Sequence, residues 1–229
     1  MKKSIIFSLI FSLGFVACAN TASDNYFTQN SSSKNEYELF KKNLAKNFEN
    51  QNPKEWGENV TGVKTKLDTQ EKVVALTMDA CGSPQGMAYD EKLVDFLKKE
   101  NIPATLFINA RWIDKNMSTF KTLASNPLFE IGNHGLEHKP ASVNGKSIYG
   151  LNGSKNVSEL IDEIELNARK IESITHKRPK YFRSGTAYYD EVAVKISNAL
   201  HHDVVGFSIL GDRGATYNTK EVQEAFLKA

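Results

Sequence analysis

The amino-acid sequence predicts an α/β protein whose strands form a mainly parallel β-sheet. Its 229 residues, 40% hydrophobic and 24% charged, are typical of a globular chain with one sizeable core. From residue 71 onwards, strand-like and helix-like segments alternate, as they do where helices join parallel strands. The first strand-like run is apolar almost throughout, which is typical of a strand covered on both faces. These patterns leave open whether the sheet is open or closed into a barrel.

The strands and helices can be assigned in order along this part of the chain. The strand-like segments are rich in β-branched and aromatic residues and are predicted at 72–78, 104–109, 128–132, 180–182 and 203–209. The helix-like segments repeat apolar residues at helical spacing and are predicted after Asp90, at 117–124, after Asn156, at 191–200 and at 219–229. Asp90 is a typical N-cap, and Asn156 with Glu159 three positions later resembles a capping box.

The first residues have the pattern of an export signal. Lys2 and Lys3 precede an apolar run at 5–17, which is shorter than the ~20 residues of a membrane-spanning helix. The run ends at Cys18, where the sequence Phe-Val-Ala-Cys resembles a lipoprotein cleavage site, although such sites usually carry Leu where this chain has Phe15. Ordinary signal cleavage around Cys18 fits equally well. We therefore expect an exported protein of the periplasm or cell envelope, either free or lipid-anchored at Cys18.

The chain divides into four predicted parts. Residues 1–18 form the export signal, and residues 19–35, rich in Asn, Ser and Thr, form a flexible tether. Residues 36–70 form a helix and a loop, and residues 71–229 form the main α/β domain. The helix is expected to pack on this domain, because it has an apolar stripe at helical spacing made of Tyr37, Phe40, Leu44 and Phe48.

Charge and cysteine content exclude two classes of protein. With 29 Lys and Arg against 27 Asp and Glu, the formal net charge is +2, so the basic excess that is typical of nucleic-acid-binding proteins is absent. We expect no nucleic-acid partner, and membrane contact only through a lipid at Cys18. The two cysteines, Cys18 and Cys81, leave Cys81 without an intrachain partner once Cys18 is lipidated or removed, so no disulfide framework is expected.

Four polar residues lie at or just beyond the C-terminal ends of predicted strands. They are Asp79, His134, Arg183 and Asp212. In parallel α/β folds the C-terminal ends of the strands meet at one edge, where active sites are built. We therefore expect these side chains to converge, although a plain turn role for Asp212 is an equal alternative.

His134 and His138 are four residues apart, a spacing that would place both imidazoles on one face if the segment turned helically. Such a pair is suited to zinc. The segment is not the HExxH motif of zinc proteases, because Gly135 stands where that motif has its catalytic glutamate. The histidine pair therefore predicts a metal site and disfavours proteolysis.

Three segments together resemble a known family. They are Leu-Thr-Met-Asp-Ala-Cys-Gly at 76–82, Asn-His-Gly-Leu-Glu-His at 133–138 and Phe-Arg-Ser-Gly at 182–185, and the strand at 102–107 is also similar. The pattern resembles the polysaccharide deacetylases of the NodB-homology type, carbohydrate esterase family 4, over about residues 70–212. The resemblance implies a distorted (β/α) barrel that uses a divalent metal, expected to be zinc, to hydrolyse acetyl groups of an acetylated polysaccharide.

The resemblance also implies roles for individual residues. His134 and His138 match the metal-binding histidines of the family, and Asp79 matches its catalytic base. Arg183 would orient Asp79 and stabilise its charge, whereas Asp212 matches the aspartate of a later motif only loosely. The implied chemistry is metal-assisted hydrolysis of an acetyl group, with Asp79 taking the proton of water.

Two departures from the family pattern bear on these roles. Ala80 stands where the family has a second, metal-binding aspartate, so we expect Asp79 itself to be a ligand with His134 and His138. Water or Cys81 are alternative third ligands, and a small buried thiol is the plainer interpretation of Cys81. The histidine of the family's fifth motif has no counterpart before Ala229, so we expect a barrel that is incomplete at its C-terminal end.

These observations support one leading function and two alternatives. The leading hypothesis is an exported deacetylase that removes acetyl groups, N-acetyl in the first place, from cell-wall or capsule polysaccharide. The first alternative is a catalytically degenerate or truncated relative that binds glycan in the envelope. The second is an O-acetyl esterase, because an alkoxide leaving group depends less on the missing histidine.

Overall fold

The computed structural model describes residues 22–83 and 86–227. The export signal predicted at 1–18, including the possible anchor Cys18, lies outside these residues. The described elements are, in chain order, α1 (Ala22–Ala45), β1 (Thr77–Ala80), α2 (Glu91–Lys99), β2 (Ala104–Ile108), α3 (Ala110–Lys115), α4 (Met117–Ser125), β3 (Phe129–Asn133), β4 (Ser147–Ile148), β5 (Leu151–Asn152), α5 (Val157–Thr175), β6 (Tyr181–Phe182), α6 (Glu191–Ala199), β7 (Asp203–Val204) and α7 (Thr219–Leu227).

Five strands form the central sheet in the order β1-β2-β3-β6-β7, and every pair in it is parallel. The α/β class and the mainly parallel sheet predicted from the sequence are therefore confirmed. One residue of each strand lies in a common row across the sheet, formed by Ala80, Ile108, Asn133, Phe182 and Val204. This row marks the C-terminal edge, because the chain leaves the sheet directly after it.

Within the described residues the sheet does not close into a barrel. Strands β1 and β7 are its two outer strands. The outer side of β7 is partly covered by Lys64, whose backbone N–H donates to the Val204 carbonyl and whose carbonyl accepts from the Gly206 N–H. An earlier part of the chain thus covers one exposed sheet edge, which would otherwise invite pairing with other chains.

Two apolar clusters hold the helices against the sheet. The first joins α5 and α6 to β6 and β7, with Leu160, Ile164, Phe182, Ile196 and Val204 fully buried or nearly so. The second joins α2, α3 and α4 to the first three strands around Trp112 and Phe120. Burying side chains of this size contributes about 1.5–3 kcal/mol each, which makes these clusters the main stabilising feature of the sheet.

The two predicted N-caps are present. The Asp90 carboxylate accepts from the Leu93 N–H at 3.0 Å and begins α2. The Asn156 side chain accepts from the Glu159 N–H at 2.9 Å and begins α5, while the Glu159 carboxylate accepts from the Lys155 N–H. Both satisfy N–H groups that have no partner within the helix, which explains why these starts could be read from the sequence.

The first and last strands are shorter than the predicted segments 72–78 and 203–209. Strand β2 begins at Ala104, and the Thr105 N–H already pairs with the Leu76 carbonyl, so earlier residues have no neighbouring strand on that side. Val74 is accordingly 77% exposed. Beyond Val204, the carbonyls of Val205 and Gly206 accept hydrogen bonds from the side chain of Arg183 and not from a neighbouring strand.

The described residues divide into two compact units, one that ends at Phe40 and one that begins at Lys41. Helix α1 runs through the described part of the first unit and covers most of the segment predicted as a flexible tether. A helix that has been nucleated gains one hydrogen bond for each added residue, so it can extend into sequence of weak propensity. Within the second unit, Leu44 and Phe48 pack against the first apolar cluster. Among the described residues, no helix combines the length and apolar character needed to cross a membrane.

Candidate metal centre and active site

Arg183 follows β6 at the C-terminal edge and is the buried centre of the site, with 2% of its side chain exposed. Its Nη1 donates to Asp79 Oδ1 at 2.7 Å, and its Nη2 donates to Thr77 Oγ1 and to the Gly206 carbonyl, each at 2.9 Å. Its Nε donates to the Val205 carbonyl at 3.1 Å. The guanidinium therefore links the edge strand β1 to the chain leaving β7.

The alternation of side chains along β1 places two of the partners of Arg183 on one face of the sheet. Thr77 and Asp79 are two residues apart on β1, so their side chains lie on the same face of the sheet. The guanidinium carbon of Arg183 lies over the ring of Phe107, 4.2 Å from its centroid. A Cβ at position 132 would lie 2.6 Å from the Phe107 ring, which is too close for a normal contact. Glycine at this position therefore makes space for the ring. The predicted pairing of Arg183 with Asp79 is present.

His134 and His138 lie side by side, with ring centroids 4.9 Å apart and ring planes at 90°. The segment between them is a loop and not the helical turn that their spacing suggested, since Gly135 and His138 both have positive φ. His134 Nδ1 lies 2.9 Å from the Arg183 carbonyl, to which it can only donate, and this leaves Nε2 free as an acceptor. A metal-binding histidine is typically oriented in this way.

Cys81 is the third member of the cluster. Its Sγ lies 3.8 Å from His134 Nε2, and one ligand atom from each of Cys81, His134 and His138 lies within 4.8 Å of the others. Asp79, which the sequence predicted as the third ligand, is not in this group, because its carboxylate bonds to Arg183. The cluster therefore presents two nitrogens and one sulfur, a donor set suited to zinc.

The state of the three side chains fits a cation. Within the described part of the chain, the buried Nε2 of His138 has no hydrogen-bond partner. Burial is the main cause that lowers the pKa of His134 and that lowers the pKa of His138 to about 3, so both rings are neutral, the form that binds metals. Burial, followed by the charge of Asp79, raises the pKa of Cys81 to about 12. A divalent cation would reverse that shift, because it stabilises the thiolate.

Buried polar side chains underneath the cluster hold its loop in place. Asn109 donates to the carbonyls of His134 and Gly135, and Asn133 accepts from the Gly135 N–H. The Glu163 carboxylate accepts from the backbone N–H groups of Glu137 and Lys139, on either side of His138. Burial raises the pKa of Glu163 to about 7 despite these two bonds.

Sequence reasoning missed these supporting residues. One signal was available for Glu163, which lies on the apolar face of α5 three residues after Leu160, where an acidic side chain has to find polar partners. Asn109 ends a predicted strand and Asn133 directly follows one, but both resemble ordinary turn residues.

Asp212 lies outside the hydrogen-bonded part of the site. It is exposed in the loop between β7 and α7, and its carboxylate accepts from the Gly214 N–H at 3.1 Å, as the turn alternative predicted. Its charge still contributes to raising the pKa of Cys81. Its proposed catalytic role stays a prediction.

A cavity of about 320 Å³ opens beside the cluster of Cys81, His134 and His138. It is lined by His138 and its neighbours Glu137 and Lys139, by Arg111 of α3, and by Leu151 and Asn152 of β5. The site therefore has room for a sugar-sized group next to a candidate metal ligand.

Comparison with known proteins identifies the same region. Residues 66–205 match the family model for polysaccharide deacetylases. The chain is 24% identical, over 167 residues, to the peptidoglycan-N-acetylmuramic acid deacetylase PdaA of Bacillus subtilis (strain 168), and the match covers 70% of this chain and 58% of PdaA. The chain thus spans little more than half the length of this curated relative.

Solved structures show the same fold. The structure of Bacillus subtilis PdaA, described as a family 4 carbohydrate esterase, superposes with a TM-score of 0.56 at 22% identity, covering 73% of this chain and 67% of that chain. BA3943 of Bacillus anthracis, described as a CE4 family pseudoenzyme, superposes with a TM-score of 0.56 at 21% identity, covering 69% and 51%.

The raised pKa of Glu163 predicts a pH-dependent loss of stability. Its folded value of about 7 exceeds the ordinary value of 4.5, so the folded state binds the proton more tightly. Protonated Glu163 therefore contributes up to about 3 kcal/mol to the free energy of unfolding. This contribution is complete below pH 4.5 and is lost as pH rises through 7. Denaturant unfolding at several pH values, with chelator present, should show this fall in the wild type but not in Glu163→Gln.

Glu159→Gln on the same helix is the matched control. Burial raises the pKa of Glu159, but hydrogen bonds, first the one from the Lys139 side chain, outweigh burial and lower the pKa below its ordinary value. The stability that Glu159 contributes to the fold is therefore lost as pH falls and not as pH rises. The Glu159 variant should keep the decline between pH 4.5 and 7. Equal pH slopes in wild type and Glu163→Gln would contradict the assignment.

Proposed function

The chain belongs to the polysaccharide deacetylase family, and we propose that it hydrolyses N-acetyl groups of a cell-envelope polysaccharide with the help of a divalent metal. The observation that carries this proposal is a juxtaposition at one edge of the sheet. A cluster of three potential metal ligands lies beside a carboxylate held by a buried arginine. Metal-assisted hydrolysis needs these two components in reach of one substrate.

The metal is proposed to be zinc, held by His134, His138 and Cys81. Two imidazoles and a thiolate are ligands that zinc binds well, whereas calcium and magnesium prefer oxygen. Three protein ligands leave a further position open, as is typical of catalytic zinc sites. When bound there, zinc would supply a Lewis acid that polarises the acetyl oxygen and lowers the pKa of water.

Asp79 is proposed to be the general base. Its side chain is 30% exposed, and Arg183 binds its Oδ1, so we assign the second oxygen to the attacking water. Asp79 would accept a proton as that water attacks the acetyl carbon, and it would return this proton to the sugar nitrogen or oxygen as the bond from that atom to the acetyl carbon breaks. The products are acetate and a free amine or hydroxyl. Arg183 fixes the orientation of the carboxylate, because its other hydrogen-bond partners hold the guanidinium rigidly.

The proposed substrate is an N-acetylated glycan of the peptidoglycan type. The relative PdaA is named as a peptidoglycan-N-acetylmuramic acid deacetylase. The cavity beside His138 supports a sugar substrate because Arg111 and Lys139 offer it donors and Leu151 offers it an apolar wall. An O-acetyl ester bound in this cavity would contact the same side chains. An assay with N-acetylated and O-acetylated substrates therefore has to decide which of the two linkages is cleaved.

A second candidate function is glycan binding without hydrolysis. Ala80 occupies the position at which the family has a metal-binding aspartate, and a pseudoenzyme is among the proteins of similar fold. The two candidates differ in one measurable respect, which is metal-dependent release of acetate.

The central test measures acetate released from N-acetylglucosamine oligomers and peptidoglycan, with added zinc and with chelator. We expect zinc-dependent release by the wild type. We expect Asp79→Asn to lower the rate by about 10²- to 10⁴-fold while the protein stays folded and keeps its zinc. Absence of release from folded, zinc-loaded wild type would favour the binding protein, and normal turnover by Asp79→Asn would refute the proposed base. O-acetylated xylan in the same assay tests the esterase alternative.

The choice between Cys81 and Asp79 as the third ligand has its own test. Cobalt bound by a thiolate gives an intense sulfur-to-metal absorption in the near ultraviolet, which carboxylate ligation does not give. We expect this band in the cobalt-loaded wild type and in Asp79→Asn, and we expect Cys81→Ser to lose it and to bind zinc more weakly. The double variant His134→Ala/His138→Ala should bind no zinc. A band that survives in Cys81→Ser would show that Cys81 is not a ligand.

We also propose that the protein is exported, with Cys18 either lipidated or close to the cleavage point. The support is the sequence pattern at 1–18 and the extracytoplasmic nature of the proposed substrate. Cell fractionation should place the protein in the envelope, and fatty-acid labelling that Cys18→Ser abolishes would identify a lipid anchor. Recovery of the full-length chain from the cytosol would overturn export.

A further inference from the structure

Three aromatic side chains form a cluster that the proposed chemistry does not use. The rings of Trp56 and Tyr188 have centroids 5.8 Å apart, and those of Tyr149 and Tyr188 are 5.7 Å apart at 85°. We call Trp56, Tyr149 and Tyr188 the aromatic platform. They come from three distant parts of the chain, so only the fold brings them together.

The platform is a surface and not part of the core. Tyr149 is 69% exposed, and Trp56 and Tyr188 are half-buried. Tyr149 also has an unusual backbone, because it and Gly150 form the tight turn between β4 and β5 with φ of 55° and 75°. Asn or Gly usually occupies the first of these positions, and a bulky residue there is costly. A large, exposed aromatic ring is thus held where a small polar residue would be more stable.

Neighbouring backbone holds the other two rings in place. Gly57, next to Trp56, exchanges two hydrogen bonds with Tyr189, next to Tyr188. The Tyr188 carbonyl also accepts from the Ala141 N–H at 3.0 Å. A hydrogen bond with Tyr149 is the main cause that raises the pKa of Tyr188, so the two phenol groups are linked as well. The platform is therefore ordered before any ligand arrives, which lowers the entropy cost of binding.

The platform adjoins the candidate active site through two connections. Its hairpin continues into Leu151 and Asn152, which line the cavity beside His138. The loop that leads from Arg183 to Tyr188 contains Gly185, which packs so closely on His138 that a Cβ would lie 2.3 Å from the His138 carbonyl oxygen. A chain bound in the cavity can therefore extend onto the platform.

We propose that the aromatic platform binds pyranose rings of the polysaccharide next to the acetylated sugar, as a subsite of the deacetylase function proposed above. The C–H groups on one face of a pyranose carry partial positive charge and pack on the negative face of an aromatic ring. Lys146 Nζ lies 5.7 Å from the centroid of the Trp56 ring and adds a donor for sugar hydroxyl or carboxylate oxygens. The occupant is a linear glycan chain, because one hairpin contributes Tyr149 to the platform and Leu151 and Asn152 to the wall of the cavity.

Intrinsic fluorescence can report this binding directly. The chain contains two tryptophans, Trp56 and Trp112, and Trp112 is 2% exposed, so a change on ligand addition reports mainly on Trp56. The titration uses His134→Ala/His138→Ala, which cannot hydrolyse the ligand, with the N-acetylglucosamine monomer and pentamer as probes. We expect the pentamer to bind far more tightly than the monomer.

Removal of the platform rings should weaken binding of the pentamer. In the same background, Tyr149→Ala should lower its affinity about 10-fold, as loss of one stacking ring does at many interfaces. The matched control is Phe96→Ala, which removes a 54% exposed aromatic ring from α2 and should leave the affinity unchanged. Circular dichroism and the unfolding midpoint establish that both variants are folded, and Tyr149→Trp, which keeps a ring, should restore binding.

The outcomes separate this inference from the proposed function. Because the background variant lacks activity, the affinity of the pentamer does not depend on whether the wild type releases acetate. Equal affinity of Tyr149→Ala and the unsubstituted background would overturn the platform, as would a pentamer that binds no better than the monomer. If Tyr149→Ala loses affinity for the pentamer and the wild type releases no acetate, the platform is supported. The protein would then be one that binds glycan without hydrolysing it.

Discussion

The buried guanidinium of Arg183 is the interaction on which the site depends. A charged group that is 98% buried is tolerated only when it is paired and hydrogen-bonded. Here one carboxylate, one hydroxyl and two backbone carbonyls supply those partners, and the guanidinium carbon lies over the ring of Phe107. Because the partners come from β1 and from the chain beyond β7, satisfying the arginine also fixes the two ends of the sheet relative to each other. The same requirement turns the Asp79 carboxylate toward the site.

The cluster beside it is held by a layer of buried polar groups. The loop that carries His134 and His138 leaves the sheet with backbone N–H and C=O groups that no strand can satisfy, and Asn109, Asn133 and Glu163 bond to them. An unsatisfied buried group costs about 1–3 kcal/mol, so each of these bonds restricts the loop to one conformation. The histidines are therefore oriented before a metal or a substrate arrives, which favours both binding and catalysis.

The family resemblance and the geometry assign Asp79 differently. With Ala80 in place of a second aspartate, the sequence argued that Asp79 should serve as both ligand and base. In the structure, the Asp79 carboxylate is bound by Arg183, and the sulfur of the residue after Ala80 lies with the two imidazoles. The two roles can thus be divided between Asp79 and Cys81, at the cost of a softer ligand set. A thiolate donates more charge to a metal than a carboxylate does, which makes the metal a weaker Lewis acid.

The sequence by itself determined the α/β class, the starts of α2 and α5 and the strand ends that carry Asp79, His134 and Arg183. Those features depend on local periodicity, on capping side chains and on the rule that parallel strands present their C-terminal ends at one edge. Only the tertiary structure decided the extent of β1 and β7, the third member of the metal cluster and the assembly of the aromatic platform. These depend on which groups meet across the fold: a neighbouring strand, a satisfied arginine, or rings from three separate loops. Contacts of this kind leave no periodic trace along the chain.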